Sequence, residues 1–318
     1  MIGYGAVGKA FARLLVTQHN VFPFRITAIH THRHGSAYSA KGLAVEPEFG
    51  PAAGSVDEFL ERSQADVMVE ITTLNPASGE PAISHIRSGF AAGMHVITAN
   101  KGPIAWAYQD LCTAAKRYQV EFRFESTVMD GAPVFNAVRN NLPGVTILGF
   151  TGALNSTTKI IVDALCAGKS FEDGVQEAQR MGIAEADASY DVDGWDSAAK
   201  TAALANVLMN ARVSPLDVRR SGIAGLSSAT MGSLAEDNKT VVLVSRAKRL
   251  SDGSVDLRVA PEILPNTHMI ATAKGTSNLL LLHTDLMGTI GTISIEPRVE
   301  QTAYGVFSDL IDIARSIP

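Results

Sequence analysis

A doubly wound parallel α/β sheet joined to a second, α+β domain is the architecture predicted by these 318 residues. Three observations predict it. The chain opens on a glycine-spaced turn, "MIGYGAVGKAF". Short apolar runs then alternate with helix-spaced runs as far as Glu125. Beyond "VMDGAPV" that alternation gives way to charged helical stretches and longer strand-like runs. Short strands alternating with helices at this spacing are the pattern of a parallel sheet covered on both faces.

The elements follow in order. "GAVGKAFARLLVTQ" has helical spacing, and "FRITAIH" (Phe24–His30) reads as a buried strand. "SVDEFLERS" is a helix, "DVMVEIT" (Asp66–Thr72) a strand, "GEPAISHIRSGFAAG" a helix and "GMHVITA" (Gly93–Ala99) a third strand. "TAAKRYQVEFRFEST" gives a helix and then a strand ending near Glu125. In the second half, "VTILGFTGAL" is a strand and "TTKIIVDALCAG" a helix. Two charged helical stretches follow, "FEDGVQEAQRMG" and "DSAAKTAALANVLMN". "VDLRVAPEIL" and "NLLLLHTDLMGTIGTISI" alternate as strands, and "YGVFSDLIDIARSI" closes with helical spacing. No internal repeat or low-complexity linker separates the halves, so they are expected to interweave. The expected domains are residues 1–127 completed by 300–318, and residues 128–299.

Bulk composition excludes several classes. The chain is 46% hydrophobic and 19% charged, with a net charge of −5 and no basic block, which argues against nucleic-acid binding. No apolar run approaches the ~18 residues of a membrane span. The first residues lack the layout of a signal peptide. Cys112 and Cys166 are isolated, which argues against a disulfide framework or zinc site and fits a reducing cytoplasm.

The opening turn, Gly3-x-Gly5-x-x-Gly8, reads as that of a Rossmann-type sheet because strands and helices alternate after it, with a purely structural turn as the alternative. Its glycines, with Ala6 and Val7 between them, let the backbone approach a pyrophosphate while the helix start supplies N–H donors. The first strand is anomalous. It usually has about five residues, whereas only Met1 and Ile2 precede Gly3. Either the recorded start lies inside the reading frame, or the sheet tolerates a stub. The second strand ends in "IHTHRHG" without the acid that bonds a ribose 2′-hydroxyl. Arg33, with His30, His32 and His34, suits a 2′-phosphate instead. NADP is therefore the expected dinucleotide and NAD the alternative.

Two stretches carry candidate chemistry. "MGIAEADASYDVDGWDSAAKTAALA" gathers Glu185, Asp187, Asp191, Asp193 and Asp196 ahead of Lys200. Asp196 and Lys200 stand four apart and share a helix face. Carboxylates before a lone lysine suit an ammonium-bearing substrate and a proton relay. A solvated acidic loop with an ordinary ion pair is the alternative. In "VITANKGPIA", Asn100 and Lys101 follow a strand's carboxyl end, the edge at which open α/β sheets bind ligands.

The pieces "GYGAVG", "EITTLNPASGEPAISHIRSGFAAGMHVITANKGPIA", "ESTVMDGAPVFN", "GALNSTTKII" and "GIAEADASYDVDGWDSAAK" occur in this order. In them the chain resembles the catalytic region of the homoserine dehydrogenase family. The resemblance implies interconversion of L-homoserine and L-aspartate 4-semialdehyde by hydride exchange with NAD(P), in threonine, methionine and isoleucine biosynthesis. It implies Lys200 as the catalytic lysine, with Asp196 beside it and Lys101 as a second lysine at the reacting end. Glu185 and Asp191 would hold the substrate's amino end, Thr157 would meet the substrate, and Glu185 would also border the cofactor. Thr72 and Thr73 would line the nicotinamide side. A sodium or potassium ion would bind backbone oxygens of Glu125, Val128, Asp130 and Ala132. A homodimer is the implied assembly, its second domain serving substrate binding and dimerisation.

Two departures stand out. The family's glycine-rich turn before its last helix is replaced by Ile295, Glu296, Pro297, Arg298 and Val299. Bulky residues there would reshape the pocket, which motivates a related dehydrogenase acting on another hydroxy or oxo amino acid. A non-catalytic NADP-binding module is the third reading. No counterpart of the threonine-sensing regulatory domain is recognised. His85 is expected to be structural, and His268 and His283 are isolated. Trp106 and Trp195 are expected to pack, Trp195 beside the acidic helix.

Overall fold

The computed structural model describes residues 1–317 and forms two compact units, Met1–Asn136 with the segment from Arg298 onward, and Ala137–Pro297. In the first, the elements run α1 (Ala6–Gln18), β1 (Ala28–Thr31), β2 (Gly35–Tyr38), α2 (Val56–Ser63), β3 (Val67–Glu70), α3 (Ala82–Ala91), β4 (His95–Thr98), α4 (Lys101–Tyr118) and β5 (Phe122–Arg123). β3, β4 and β5 are parallel, in the register Val67↔His95 and Val96↔Phe122. Helix starts are set by local chemistry. Ser55 Oγ accepts from the Glu58 N–H ahead of α2, and Asn100 Oδ1 accepts from the Gly102 N–H ahead of α4. Lys101 is thus the first residue of a helix, not a loop residue, and α4 begins far earlier than "TAAKRY".

The stub is the sheet's central strand. Ile2 bridges in parallel to both His30 and Glu70, so it joins β1 to β3. Four backbone hydrogen bonds of 2.9 Å hold it: Ile2 N–H to Val69 O, Ile71 N–H to Ile2 O, Gly3 N–H to His30 O and His30 N–H to Met1 O. Beyond it lies a cavity of about 370 Å³, lined by Met1, Phe24, Ile26, Phe59, Val67 and Leu310 among others. The expected strand Phe24–His30 begins only at Ala28, because the Ile26 and Thr27 carbonyls accept from the Leu43 and Ser39 N–H groups and not from a sheet neighbour. The Met1 ammonium donates to the Ala28 carbonyl at 2.8 Å. Complete burial lowers its pKa to about 5. β1 then turns back antiparallel onto β2.

The C-terminal helix, Val299–Ser316, completes this unit's core. Val306, Phe307, Leu310 and Ile313 cluster with Phe11, Leu15, Ile29, Val69 and Ile97. Phe22 and Phe24 meet the Phe307 ring edge-on at 5.5 and 6.4 Å. Burying one such ring stabilises by roughly 1.5–3 kcal/mol.

The second unit contains α5 (Phe135–Asn141, its first two residues in the other unit), β6 (Ile147–Ala153), α6 (Ser156–Cys166), α7 (Phe171–Arg180), α8 (Ser189–Val192), α9 (Trp195–Leu208), β7 (Arg219–Arg220), α10 (Ser228–Glu236), β8 (Lys239–Arg249), β9 (Val255–Pro265), β10 (Asn278–Thr284) and β11 (Thr289–Ser294). Its six-stranded sheet has the order β11-β10-β6-β8-β9-β7 and is antiparallel except for β7 with β9. The long run "NLLLLHTDLMGTIGTISI" is a hairpin, turned by Gly288 at φ 64°. The strand β8, paired with β6 and β9 in the same sheet, is not among the strands that the sequence analysis predicts. α9 packs against β8 and β9 through its buried alanines Ala198, Ala199, Ala202, Ala203 and Ala205, whose small side chains permit close approach.

Candidate functional site

The glycine turn is built for close approach. Gly3 has φ +93°, and a Cβ there would stand 2.5 Å from the Ile71 carbonyl oxygen. Gly8 presses against the Ile71 and Tyr4 side chains, a helix–strand contact. A Cβ on Gly5 would meet nothing within 4 Å. Gly5 is the α1 N-cap and provides no side-chain cap, so the first N–H groups of the helix, at Ala6 and Val7, open to solvent at exposed and half-buried residues. That open space beside uncapped donors fits a dinucleotide pyrophosphate.

The β3 and β4 ends lie beside the turn. Glu70, wholly buried, accepts from the Thr72 N–H at 3.0 Å, from the Thr72 hydroxyl and from the Thr98 hydroxyl at 2.9 Å. Thr73 is exposed and Lys101 half-buried. His85, on α3, places Nδ1 3.9 Å from Glu70. At the β1–β2 hairpin, His32, Arg33 and His34 form the exposed tip. His30 does not join them. Its Nδ1 is 2.9 Å from Ser36 Oγ, below the tip, and burial lowers its pKa, with His85 adding to the effect.

In the second unit a charged cluster forms where three elements meet. Asn155 caps α6 by accepting from the Thr158 N–H at 2.8 Å. Its amide nitrogen donates to Asp191 at 2.6 Å and to Asp196 at 2.9 Å. The Thr157 hydroxyl donates to Asp191 at 2.8 Å. Gly194, at φ +82°, turns the chain from α8 into α9 and so brings Asp191 beside Asp196. One turn on, Lys200 Nζ lies 3.2 Å from Asp196 and donates to the Leu154 carbonyl at 2.6 Å. Burial raises the Asp191 pKa first, and the Asp196 charge adds to it. Hydrogen bonds from Thr157 and Asn155, and the Lys200 charge, oppose the rise. Burial raises the Tyr190 phenol strongly, helped by Asp196 and Asp191, so it remains a protonated donor. The cluster offers a proton at an ammonium and surplus negative charge for a cationic ligand.

Of the sequence-derived residues, Thr157, Asp191, Asp196 and Lys200 are brought together. Glu185 and Asp187 lie on an exposed loop, and the Asp193 carbonyl accepts from Arg220, whose guanidinium stacks 3.6 Å over Trp195. Sequence reasoning missed Asn155 and Tyr190, although both sit inside the quoted motifs. Glu125 uses its carboxylate to cap the start of α5, accepting from the Val134, Phe135 and Asn136 N–H groups. Val128 is buried, while Asp130, at φ +58°, and Ala132 are half-buried, and the four residues share one tight segment. Glu296 has φ +44°, a left-handed conformation that glycine adopts most readily, and its N–H donates to Ser277 Oγ at 3.1 Å.

Comparison with known proteins gives one family. Residues 133–311 match the model "Homoserine dehydrogenase", and residues 3–125 match "Homoserine dehydrogenase, NAD binding domain". An NAD(+)-dependent homoserine dehydrogenase of Pseudomonas canavaninivorans is 33% identical over 99% of this chain and 96% of its own length. A homoserine dehydrogenase of Methanocaldococcus jannaschii is 34% identical over 99% and 98%. Among solved structures, a homoserine dehydrogenase from Thiobacillus denitrificans superposes with a TM-score of 0.85 at 26% identity, over 99% of this chain and 72% of that one. A hyperthermophilic archaeal homoserine dehydrogenase in complex with NADPH gives 0.83 at 25% identity, over 100% and 97%.

Proposed function

The chain belongs to the homoserine dehydrogenase family, NAD-binding oxidoreductases of amino-acid biosynthesis, and we propose that it interconverts L-homoserine and L-aspartate 4-semialdehyde. The single observation that carries this is the Lys200 ammonium held between Asp196 and the Leu154 carbonyl, beside the Asp191–Thr157 pair. When bound, a nicotinamide would supply or take the hydride at the substrate's C4. Lys200 Nζ gives a proton to the aldehyde oxygen as it gains charge, and takes the hydroxyl proton in the reverse direction. Asp196 orients Nζ and keeps its charge compensated. Asp191, positioned by Thr157 and Asn155, pairs with the substrate's α-ammonium, and Glu185 is proposed to assist. Lys101 is proposed as the second catalytic lysine.

For the dinucleotide, Gly3, Gly5, Ala6, Val7 and Gly8 would cradle the pyrophosphate, with Thr72, Thr73, Lys101 and Glu185 nearer the nicotinamide. The exposed Arg33 tip supports NADP over NAD, because a guanidinium recognises a 2′-phosphate. The Pseudomonas relative's NAD(+) dependence supports the alternative. A sodium or potassium ion is proposed at the main-chain oxygens of Glu125, Val128, Asp130 and Ala132, as hard oxygen donors suit it. A homodimer is proposed over the β11 edge, where Ile293 is 50% exposed and an unpaired strand needs cover. The proposed location is the cytoplasm.

The test is homoserine-dependent reduction of NADP at alkaline pH, followed by near-ultraviolet absorbance. Arg33→Ala is expected to raise the KM for NADP about tenfold, the loss of about one charge-assisted bond, and to leave that for NAD unchanged. Equal effects on both would remove the assignment of Arg33. A second reading rests on Glu296, which keeps a glycine-like backbone while adding a side chain. It proposes another hydroxy or oxo amino acid as substrate. It is favoured if homoserine fails and another amino-acid alcohol from a panel reacts.

A further inference from the structure

β3 ends in a carboxylate with no exposed surface. An ionised carboxylate so placed must be well hydrogen-bonded to be tolerated. Glu70 meets that need in a specific way. One oxygen takes both the N–H and the hydroxyl of Thr72, on the segment leaving β3. The other takes the hydroxyl of Thr98, the last residue of β4. Thr98 Oγ1 in turn accepts from the Asn100 N–H at 3.0 Å. The Asn100 amide nitrogen returns to the Thr72 carbonyl at 3.4 Å, and its oxygen caps α4 at Gly102. Glu70, Thr72, Asn100 and Thr98 therefore close a ring that ties the exits of two parallel strands together. Lys101 extends directly from it. A purely structural need at this point would be met by an apolar residue, as at neighbouring Met68 and Val69, which are buried in the same strand.

We propose that Glu70 is a positioning residue for dinucleotide binding, its carboxylate fixing the Thr72 segment and the Asn100–Lys101 helix start in one arrangement. This rests on the dinucleotide site proposed above. The ring needs an acceptor at both carboxylate oxygens. Glu70→Gln preserves shape and leaves only one, so the Thr98 arm must reverse or break. Thr98→Val cuts the same arm from the other side without touching Glu70.

The experiment measures NADPH and NADH binding by calorimetry, the KM of each substrate, and the thermal midpoint. It compares the unsubstituted protein with Glu70→Gln and Thr98→Val. Both variants are expected to weaken dinucleotide binding and raise the dinucleotide KM about tenfold, the effect of one charge-assisted hydrogen bond. The KM for homoserine should rise less than the dinucleotide KM, since the groups proposed to hold its amino end lie in the second unit and only Lys101 adjoins the ring. Unaltered dinucleotide binding in both folded variants would overturn the proposal. So would a lowered midpoint with equal rises in both KM values, the mark of general loosening. If the unsubstituted protein binds neither dinucleotide, the underlying site assignment fails, which is distinguishable from failure of Glu70 alone.

Discussion

Asn155 holds two carboxylates and a helix start with one side chain, so its substitution has a calculable effect. Asn155→Ala removes the donors to Asp191 and Asp196 and the acceptor for the Thr158 N–H. Hydrogen bonds to charged groups contribute roughly 1.5–3 kcal/mol each and an N-cap about 1 kcal/mol. Because the three share one side chain, a joint loss of about 3–4 kcal/mol near neutral pH is expected. The loss should depend on pH in a defined direction. The Asp191 pKa is already raised in the folded protein, so the folded state binds more protons and stability falls as pH rises through the folded value. Removing its donors raises that pKa further and extends the window upward. The penalty should therefore be smallest in acid, below the folded Asp191 pKa, and grow as pH rises through it. Asn155→Asp keeps the cap acceptor but sets a third carboxylate against Asp191 and Asp196, so it should show the same pH trend more steeply. Equilibrium urea unfolding at fixed protein concentration across this pH range checks both variants. A penalty below about 0.5 kcal/mol, or one independent of pH, would refute the clamp.

One further outcome is expected. Gly5→Ala should leave the thermal midpoint nearly unchanged, since its Cβ meets no protein atom within 4 Å, yet weaken NADPH binding at least about tenfold by filling the cradle; intact binding in calorimetry would move the pyrophosphate elsewhere.

The parallel half of the fold was legible because its elements are short and locally signalled. The glycine turn and the alternating runs are written within a few residues of their effects, whereas the caps at Ser55 and Asn100 emerge only in the structure. α4 was placed too late because "KGPIAWAY" reads as a loop until Asn100 is recognised as its cap. The strand over Phe24–His30 is shorter than its apolar run because the Ile26 and Thr27 carbonyls pair with Leu43 and Ser39, a tertiary fact. In the site, the Asp196–Lys200 ion pair follows from helical spacing and was legible. The Asn155 clamp joins α6 to α8 and α9 across more than thirty residues, and no local periodicity encodes it. The Glu70 ring was hidden for the same reason, within a strand that reads as plain apolar core.

The central claim is that Lys200 moves the proton between enzyme and substrate oxygen. Steady-state turnover of Lys200→Met with homoserine and NADP, alongside calorimetric NADPH binding, measures it most directly. A kcat lowered by about a thousandfold or more, with NADPH binding retained, is expected for the loss of a general acid–base group. A kcat within a few-fold of the unsubstituted protein would contradict the account.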